Sequence, residues 1–203
     1  MKPNREATHG DACAGVFVVE DEALVAMGLQ AMLAQIGCDR VHVFSSAEDA
    51  LARLEELQPD VVLMDIRLGE GMDGLAAARE VMERRPCPVI ITTAYAEERF
   101  LEEAMQSHVF GYLVKPITAR QLASAIAVAR SRFEQFQRLQ AENVSLRDAL
   151  ETRKLVERAK GLLMDKKGLT ELEAYELMRT QSQQHSRPMR EIARQVIEAS
   201  EFL

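Results

Sequence analysis

Reactive side chains follow four separate apolar runs in this sequence, each where the run ends. Glu20 and Asp21 come directly after the first run, and Asp65 ends another. Thr93 and Lys115 close the two runs that lie further along the chain. Continuous apolar runs separated by helical stretches are typical of buried parallel strands. Because ligand sites of open parallel sheets lie outside the carboxyl ends of the strands, we expect these side chains to share one crevice.

The residue types in this crevice suit a phosphate group and a divalent cation. Mg²⁺ keeps near-octahedral oxygen coordination and several of its waters, so one or two carboxylates beside a phosphate oxygen are enough to hold it. An aspartate can attack a phosphoryl group and form an acyl phosphate. A metal ion and Lys115 would neutralise the charge on the equatorial oxygens during that transfer.

The elements that position these residues alternate between strand and helix about five times. Glycines and prolines punctuate the joins. The pattern predicts an α/β fold with a five-stranded parallel sheet sandwiched between helices. The strands are predicted at Val16–Val19, Val41–Phe44, Val61–Asp65, from Val89 and from Gly111, and the helices after Glu22 and over Ala47–Leu57, Leu75–Arg84 and Glu97–Ser107.

Length and composition favour two domains in a soluble, cytoplasmic protein. The chain has 203 residues, of which 47% are apolar. No apolar run approaches the roughly 18 to 20 residues that a membrane span needs, so no membrane partner is expected. The first residues lack the apolar segment of a secretory signal, and residues 1–13 are interpreted as a flexible tail.

The spacing of the cysteines disfavours a metal site and a redox motif, and the charge distribution bears on possible partners. Cys13, Cys38 and Cys87 lack metal-ligand or redox spacing, so we expect reduced thiols. The net charge is -7, and the acidity belongs to the first 130 residues. Basic residues exceed acidic ones over 152–194, which permits a polyanionic partner without requiring one.

A long helix is predicted from Thr118, because no glycine or proline follows until Gly161. Its apolar seam advances by three and four residues, as in a coiled coil. A buried asparagine in such a seam can set dimer register, yet two heptads also fit a helix that packs on its own domain. The seam consists of Phe136, Leu139, Asn143, Leu146 and Leu150.

A small three-helix module is predicted after the long helix. Gly168 suits a helix end, and Thr170 with Glu173 forms a capping box. Arg187-Pro188 marks the start of a final amphipathic helix that carries Ile192, Ala193, Val196 and Ile197. The apolar face of the middle helix is predicted to comprise Leu172, Ala174, Tyr175, Leu177 and Met178.

The motifs V-F-V-V-E-D-E, V-V-L-M-D-I-R, I-I-T-T-A and G-Y-L-V-K-P resemble those of the receiver domain of two-component response regulators. The resemblance covers roughly residues 14–130 and implies a flavodoxin-like fold. It implies that Asp65 accepts phosphate from a sensor histidine kinase. Glu20, Asp21 and the backbone carbonyl of Arg67 would join Asp65 in binding Mg²⁺.

The same resemblance assigns roles to the last two strands. Lys115 would bind the phosphate, and Thr93 with Tyr112 would form the switch pair. The peptide bond before Pro116 is expected to be cis. The loop Leu68–Gly74 departs from the family pattern, because it has one residue more and lacks the usual proline. Its effect on kinase docking or phosphate lifetime stays open.

The run A-L-E-T-R-K-L-V-E-R-A-K-G-L-L-M-D, with L-T-E-L-E-A-Y-E-L-M-R and I-A beyond it, resembles the ANTAR domain of transcription antitermination regulators. The similarity spans about 148–200. It implies binding to RNA stem-loops in leader transcripts, which prevents a terminator hairpin from forming. The matching positions are Ala159, Gly161, Met164, Ala174, Arg179 and Ala193.

Packing and RNA contact are expected to divide between different residues of this domain. Ala159 and Gly161 would allow helices to approach closely, Met164 would lie in the core, and Tyr175 is favoured as buried over stacking on a base. Phosphates and loop bases are met by basic and aromatic side chains. The RNA-binding candidates are Arg158, Lys160, Lys166, Lys167, Arg179 and Arg187.

These inferences predict a receiver at 14–130, a helical coiled-coil linker at 131–150 and an ANTAR RNA-binding domain at 151–203. Phosphorylation would promote a homodimer that engages two RNA loops. The alternatives are a DNA-binding response regulator and an adaptor or phosphate sink that acts through protein contacts. An enzyme is disfavoured beyond slow self-dephosphorylation. The sequence leaves open the cognate kinase, the signal, the target transcripts, the resting oligomer and masking of the output domain by the receiver.

Overall fold

The computed structural model describes residues 15–94 and 109–201. The predicted helix Glu97–Ser107, the tail at 1–13 and Cys13 lie outside the described residues. The described strands are β1 Val16–Val19, β2 Val41–Phe44, β3 Val61–Asp65, β4 Val89–Thr93 and β5 Gly111–Val114, and the helices are α1 Ala23–Gln35, α2 Ala47–Leu57, α3 Gly74–Arg84, α4 Ala119–Lys167, α5 Glu171–Gln184 and α6 Met189–Glu201.

The five strands form one parallel sheet in the order β2-β1-β3-β4-β5, which confirms the predicted fold class. β1 and β3 are adjacent although β2 lies between them in sequence. The chain therefore moves from one side of β1 to the other at this pair. A doubly wound sheet carries its ligand crevice at such a reversal of strand order.

Helices cover both faces of the sheet, and apolar side chains fill the space between the sheet and the helices. β1, β3 and β4 are fully buried along their length. One face packs on α2 and α3, through residues such as Leu54 and Val81. The other packs on α1 and the start of α4, through residues such as Leu33 and Leu122.

Side-chain caps set the start of three helices. Ser46 caps α2 by accepting from the Asp49 backbone N–H at 3.2 Å. Asp73 caps α3 by accepting from the backbone N–H groups of the first two residues after Gly74, at 2.9 and 2.8 Å. At α5 the predicted capping box between Thr170 and Glu173 is present. Each cap satisfies backbone donors that a helix start otherwise leaves unpaired.

The chain divides into two compact units after Phe136. The long helix α4 continues through Gly161 to Lys167, as predicted from the absence of earlier breakers. None of the described helices is both long and apolar enough to cross a membrane.

Three helices build the core of the second unit, as the sequence predicts. The end of α4, α5 and α6 bury a shared set of small and apolar residues. Ala159, Ala174 and Ala193 are fully buried, so the helices approach one another at alanines. The larger side chains of this core are Leu163, Met178, Ile192 and Ile197.

The packing predicted for five residues of the second unit is wrong. Leu172, Tyr175 and Leu177 are 66%, 42% and 37% exposed, so the face of α5 that meets the core is narrower than predicted. Met164 is 38% exposed and is a surface residue. A Cβ on Gly161 would find nothing within 4 Å among the residues that the structure describes, so no close helix approach depends on this glycine there.

Candidate functional site

Strand register brings the predicted site residues to one edge of the sheet. Val19 pairs with Met64, so Glu20 and Asp65 follow at the same level of adjacent strands. Asp65 pairs with Thr92, and Thr93 pairs with Val114. Lys115 therefore follows at the end of β5. Four strands contribute one or two residues each, and a shift in register at any strand would separate them.

Lys115 joins the two buried carboxylates. Its ammonium donates to Glu20 Oε2 at 2.7 Å and to Asp65 Oδ2 at 2.5 Å. Asp65 Oδ1 accepts from the backbone N–H of Arg67 at 3.3 Å. Both oxygens of Asp65 are therefore oriented before any phosphate arrives. The Lys115–Pro116 peptide bond is cis, as expected from the resemblance.

Glu20, Asp21 and Asp65 form an acidic cluster whose ligand atoms lie within 4.8 Å of one another. Three carboxylates face a single ammonium, so the cluster carries an excess of negative charge when all are ionised. Glu20 Oε1 is buried and has no hydrogen-bond partner within the described parts of the chain. An orphaned anionic oxygen in a cluster of hard oxygen donors fits a divalent cation such as Mg²⁺.

Burial and charge shift the protonation equilibria of the cluster. Desolvation raises the pKa of Glu20 to about 7, even though the hydrogen bond from Lys115 opposes the shift. The pKa of Lys115 is raised because the hydrogen bonds and charges of Asp65 and Glu20 outweigh its desolvation. A cation beside Glu20 would favour the ionised carboxylate, in the same sense as Lys115 does.

A crevice of about 630 Å³ lies at this edge of the sheet. Its lining includes Asp21, Asp65, Thr93 and Lys115, together with the loop after β3. Arg67 also lines it, which places the residue predicted to offer a backbone carbonyl beside the acidic cluster. The crevice therefore has room for a metal ion and a phosphoryl group.

The predicted switch residues are in contact. A hydrogen bond joins the side chains of Thr93 and Tyr112, on the adjacent strands β4 and β5. Desolvation raises the pKa of the Tyr112 hydroxyl, and the hydrogen bond with Thr93 opposes that shift. A ligand that draws Thr93 toward the crevice would therefore act directly on Tyr112.

The long loop after β3 is tied to α2 by Glu48, a residue that the sequence analysis did not select. Glu48 Oε1 accepts from the Met72 backbone N–H at 2.8 Å. Gly71 has a φ of +133°, and a Cβ there would lie 2.9 Å from the same oxygen. Gly69 also has positive φ, beside Asp21 Oδ2. The glycines that lengthen the loop thus allow it to run between Glu48 and the acidic cluster.

Gly74 fixes the far end of this loop. A Cβ on Gly74 would lie 1.9 Å from the carbonyl oxygen of Asp65. The Gly74 N–H donates to the Ile66 carbonyl at 2.9 Å. The loop therefore closes on the residue that carries the reactive carboxylate, and glycine is the only residue that fits at the closure.

The RNA-binding candidates lie in different environments. Arg158, Arg179, Arg187 and Lys167 are exposed, whereas the Lys160 side chain is only 9% exposed. Lys160 pairs with Glu171 at 2.7 Å and with Glu157 at 3.0 Å.

Lys166 donates to the carbonyl of Ser200 near the end of α6. Lys160 and Lys166 thus have structural partners within the second unit, which the sequence pattern did not predict.

The fold and the crevice define a receiver domain, and comparison with known proteins agrees. Residues 16–127 match the model of the response regulator receiver domain, and residues 145–197 match that of the ANTAR domain. The chain therefore belongs to the response regulators that join a receiver domain to an ANTAR domain.

One similar protein matches along nearly the whole chain. It is the transcriptional regulatory protein PdtaR of Mycobacterium tuberculosis, 37% identical over 183 residues that cover 90% of this chain and 89% of that protein. Another relative matches a shorter part of this chain. The positive alginate biosynthesis regulatory protein of Pseudomonas aeruginosa is 39% identical over 56% of this chain and 46% of its own length.

Solved structures are similar over the receiver. The signal receiver domain of a modulated diguanylate cyclase from Desulfovibrio desulfuricans is 32% identical, with a TM-score of 0.57, over 61% of this chain and 98% of that one. The N-terminal domain of a three-domain response regulator from Carboxydothermus hydrogenoformans is 30% identical, with a TM-score of 0.55, over 60% and 97%.

Proposed function

We propose that this chain is a phosphorylation-dependent regulator that binds RNA stem-loops and thereby prevents transcription termination. The observation that carries the proposal is the presence, in one chain, of an oriented aspartate in an acidic crevice and of an ANTAR domain. The first feature supports control by phosphate from a sensor histidine kinase. The second supports an RNA target. The chain would act as a phosphoacceptor and would not transform other substrates.

In the receiver, Asp65 would attack the phosphorus of a phosphohistidine on the sensor kinase. The P–O bond to the carboxylate forms as the P–N bond breaks, the imidazole leaves, and Asp65 carries the phosphoryl group as an acyl phosphate. Glu20, Asp21, Asp65 and the carbonyl of Arg67 would hold Mg²⁺, which supplies positive charge to the phosphoryl oxygens. Lys115 already donates to Asp65 Oδ2. After the transfer, its ammonium would donate a hydrogen bond to a phosphoryl oxygen. Mg²⁺ and the Lys115 ammonium would together offset the negative charge of the phosphoryl group.

Thr93 couples the crevice to β5. Its hydroxyl is available to donate to a phosphoryl oxygen once it exchanges its contact with Tyr112. Tyr112 would then change position on β5. Because phosphorylation replaces the carboxylate of Asp65 with a more highly charged phosphoryl group that offers three strong acceptor oxygens, the phosphorylated state gains a contact that the free state lacks. That difference in contacts is what a two-state switch requires.

Glu48 controls how tightly the loop after β3 closes on the metal site. We expect Glu48→Ala to weaken Mg²⁺ binding about two- to fivefold, because one charge-assisted hydrogen bond that orders the loop is lost. Glu48→Gln keeps an acceptor and should stay close to the parent. Titration calorimetry measures this effect, with Glu55→Ala on the same helix as the control. Equal Mg²⁺ affinity of Glu48→Ala and the parent would contradict the role.

We expect RNA to be bound by two ANTAR domains of one dimer. Phosphorylation would favour pairing of the exposed seam on α4, and the dimer would engage two stem-loops of one transcript. Linking two weak sites raises the effective concentration and multiplies affinity by about 10² to 10⁴. The second unit also needs no catalytic group of its own for this role, since occupancy of the RNA is sufficient.

A direct comparison of nucleic acids tests the proposed target. Full-length phosphorylated protein is titrated with a paired-hairpin RNA and with duplex DNA of the same stem sequence, at several salt concentrations. We expect the RNA to bind more tightly at every salt concentration, because single-stranded loop bases offer contacts that a duplex hides. Preference for the DNA would support a DNA-binding regulator. Binding to neither at low salt would support an adaptor that acts through protein contacts.

A further inference from the structure

An open depression of about 390 Å³ lies on the second unit between α4 and α5. It is lined by Lys160, Glu171, Leu172 and Tyr175. The volume lies within the roughly 300 to 1,000 Å³ of pockets that take small organic groups. We propose that this depression receives one unpaired nucleobase of a bound RNA, stacked on the ring of Tyr175. The inference rests on the proposed function and adds where, and by what chemistry, a base is held.

The charge of the depression disfavours a phosphate at its floor. The Lys160 ammonium is bonded to Glu171 at 2.7 Å and to Glu157 at 3.0 Å. Two carboxylates and one ammonium leave a net negative charge, which repels a phosphate oxygen. The pKa of Glu171 is lowered by its hydrogen bond with Lys160, so this carboxylate stays ionised near neutral pH. We therefore expect the phosphate contacts of a bound RNA to lie at basic residues other than Lys160.

A neutral heterocycle with both donors and acceptors suits the same groups. The carboxylates of Glu157 and Glu171 are 57% and 71% exposed and can accept from the amino groups of a base. An ammonium has three donors, and two of those of Lys160 are engaged by the carboxylates. The polar groups thus match a base edge better than they match the RNA backbone.

The apolar side chains that line the depression are exposed and do not belong to the core of the second unit. Leu172 is 66% exposed and Tyr175 is 42% exposed, although both lie on a helix whose core face is occupied by Ala174 and Met178. Tyr175 is also the one Phe, Tyr or Trp residue within residues 137–201. An aromatic ring that is exposed on the surface of a helix can stack on a nucleobase.

Arg179 extends this surface by one helical turn. It is exposed and lies four residues after Tyr175 on α5, so the two side chains share one face of the helix. A guanidinium at this distance can meet the phosphate next to a stacked base. Tyr175 and Arg179 would therefore supply the two kinds of contact that single-stranded loop nucleotides require.

The test uses full-length phosphorylated protein and hairpin RNAs with a fixed stem and a randomised loop, selected for binding to the parent. Tyr175→Ala should weaken binding to a selected hairpin by about tenfold or more, the cost of one lost base stack. Tyr175→Phe keeps the ring and should bind nearly as the parent does. Leu177→Ala, on another face of α5, is the matched control and should not change affinity. Thermal melts of each variant verify that the second unit stays folded.

Abasic substitution through the loop identifies the stacked nucleotide. At one loop position, removal of the base should weaken binding to the parent protein by the same factor as the Tyr175→Ala substitution does. The Tyr175→Ala variant should bind this abasic RNA as tightly as it binds the intact RNA. The inference is overturned if folded Tyr175→Ala binds as the parent does, or if its effect adds fully to that of every abasic position. Selection of no hairpin by the parent would instead remove the proposed function, and the inference with it.

Discussion

Asp65→Asn should reduce phosphate incorporation from a small phosphodonor to background. The amide of asparagine is close to the carboxylate in shape, but it is not a nucleophile that forms an acyl phosphate. Asp65 Oδ2 lies 2.5 Å from Lys115 and Oδ1 lies 3.3 Å from the Arg67 nitrogen, so the reactive group is positioned by two contacts. We expect loss of nearly all stoichiometric labelling, measured by intact mass in the presence of Mg²⁺.

Asp73→Asn is the matched control for this experiment. Asp73 lines the same crevice, and its side chain caps α3. Asparagine caps helices about as well as aspartate does, so the fold is kept and labelling should continue. Stoichiometric labelling of Asp65→Asn would contradict the assignment, and loss of labelling in both variants would indicate damage to the crevice instead of removal of the phosphoacceptor.

The second large effect concerns the exposed seam on α4. Leu139, Leu146 and Leu150 are 58%, 63% and 54% exposed, which leaves a heptad-spaced apolar row open. Leu146→Lys places a charge in the middle of that row. We expect the phosphorylated variant to sediment as a monomer under conditions in which the phosphorylated parent dimerises. It should also lose the bivalent gain of about 10² to 10⁴ in affinity for a paired-hairpin RNA.

Val144→Lys is the control for the seam. Val144 is 66% exposed and lies beside Asn143, off the predicted row. The same charge at this position should leave the dimer and the affinity for paired hairpins unchanged. A phosphorylated Leu146→Lys protein that dimerises as the parent does would contradict pairing through the seam. A variant that stays monomeric yet binds the paired hairpins as tightly as the parent would contradict the bivalent account.

The receiver sheet was predictable because each strand is a continuous apolar run that ends in a polar residue. Parallel register then places Glu20, Asp65 and Lys115 together, since strand ends of one sheet share an edge. For the described elements of the receiver whose two ends were both predicted, the boundaries agree with the structure to within about a residue. The cluster of Glu20, Asp21 and Asp65 thus follows from local sequence and one rule of sheet architecture.

Contacts between distant side chains were not predictable in the same way. Glu48 bonds the loop at Met72 across 24 residues, and nothing in the local pattern distinguishes it from the other acidic residues of α2. Lys160 looked like a surface cation, but its position against α5 buries it between Glu157 and Glu171. The apolar residues of a short helix outnumber the positions that face the core, so Tyr175 was wrongly interpreted as buried.

Recovery of RNA with the full-length protein from its own cells tests the central claim most directly. The purified protein and Asp65→Asn are each treated with a small phosphodonor and Mg²⁺, or left untreated, and the bound RNA is sequenced. We predict enrichment of paired short stem-loops upstream of terminators with the treated parent, and none above the untreated level with Asp65→Asn. Equal recovery of the same RNA from the parent in both states would contradict control by phosphate, and no enrichment of any RNA in either state would contradict an RNA target.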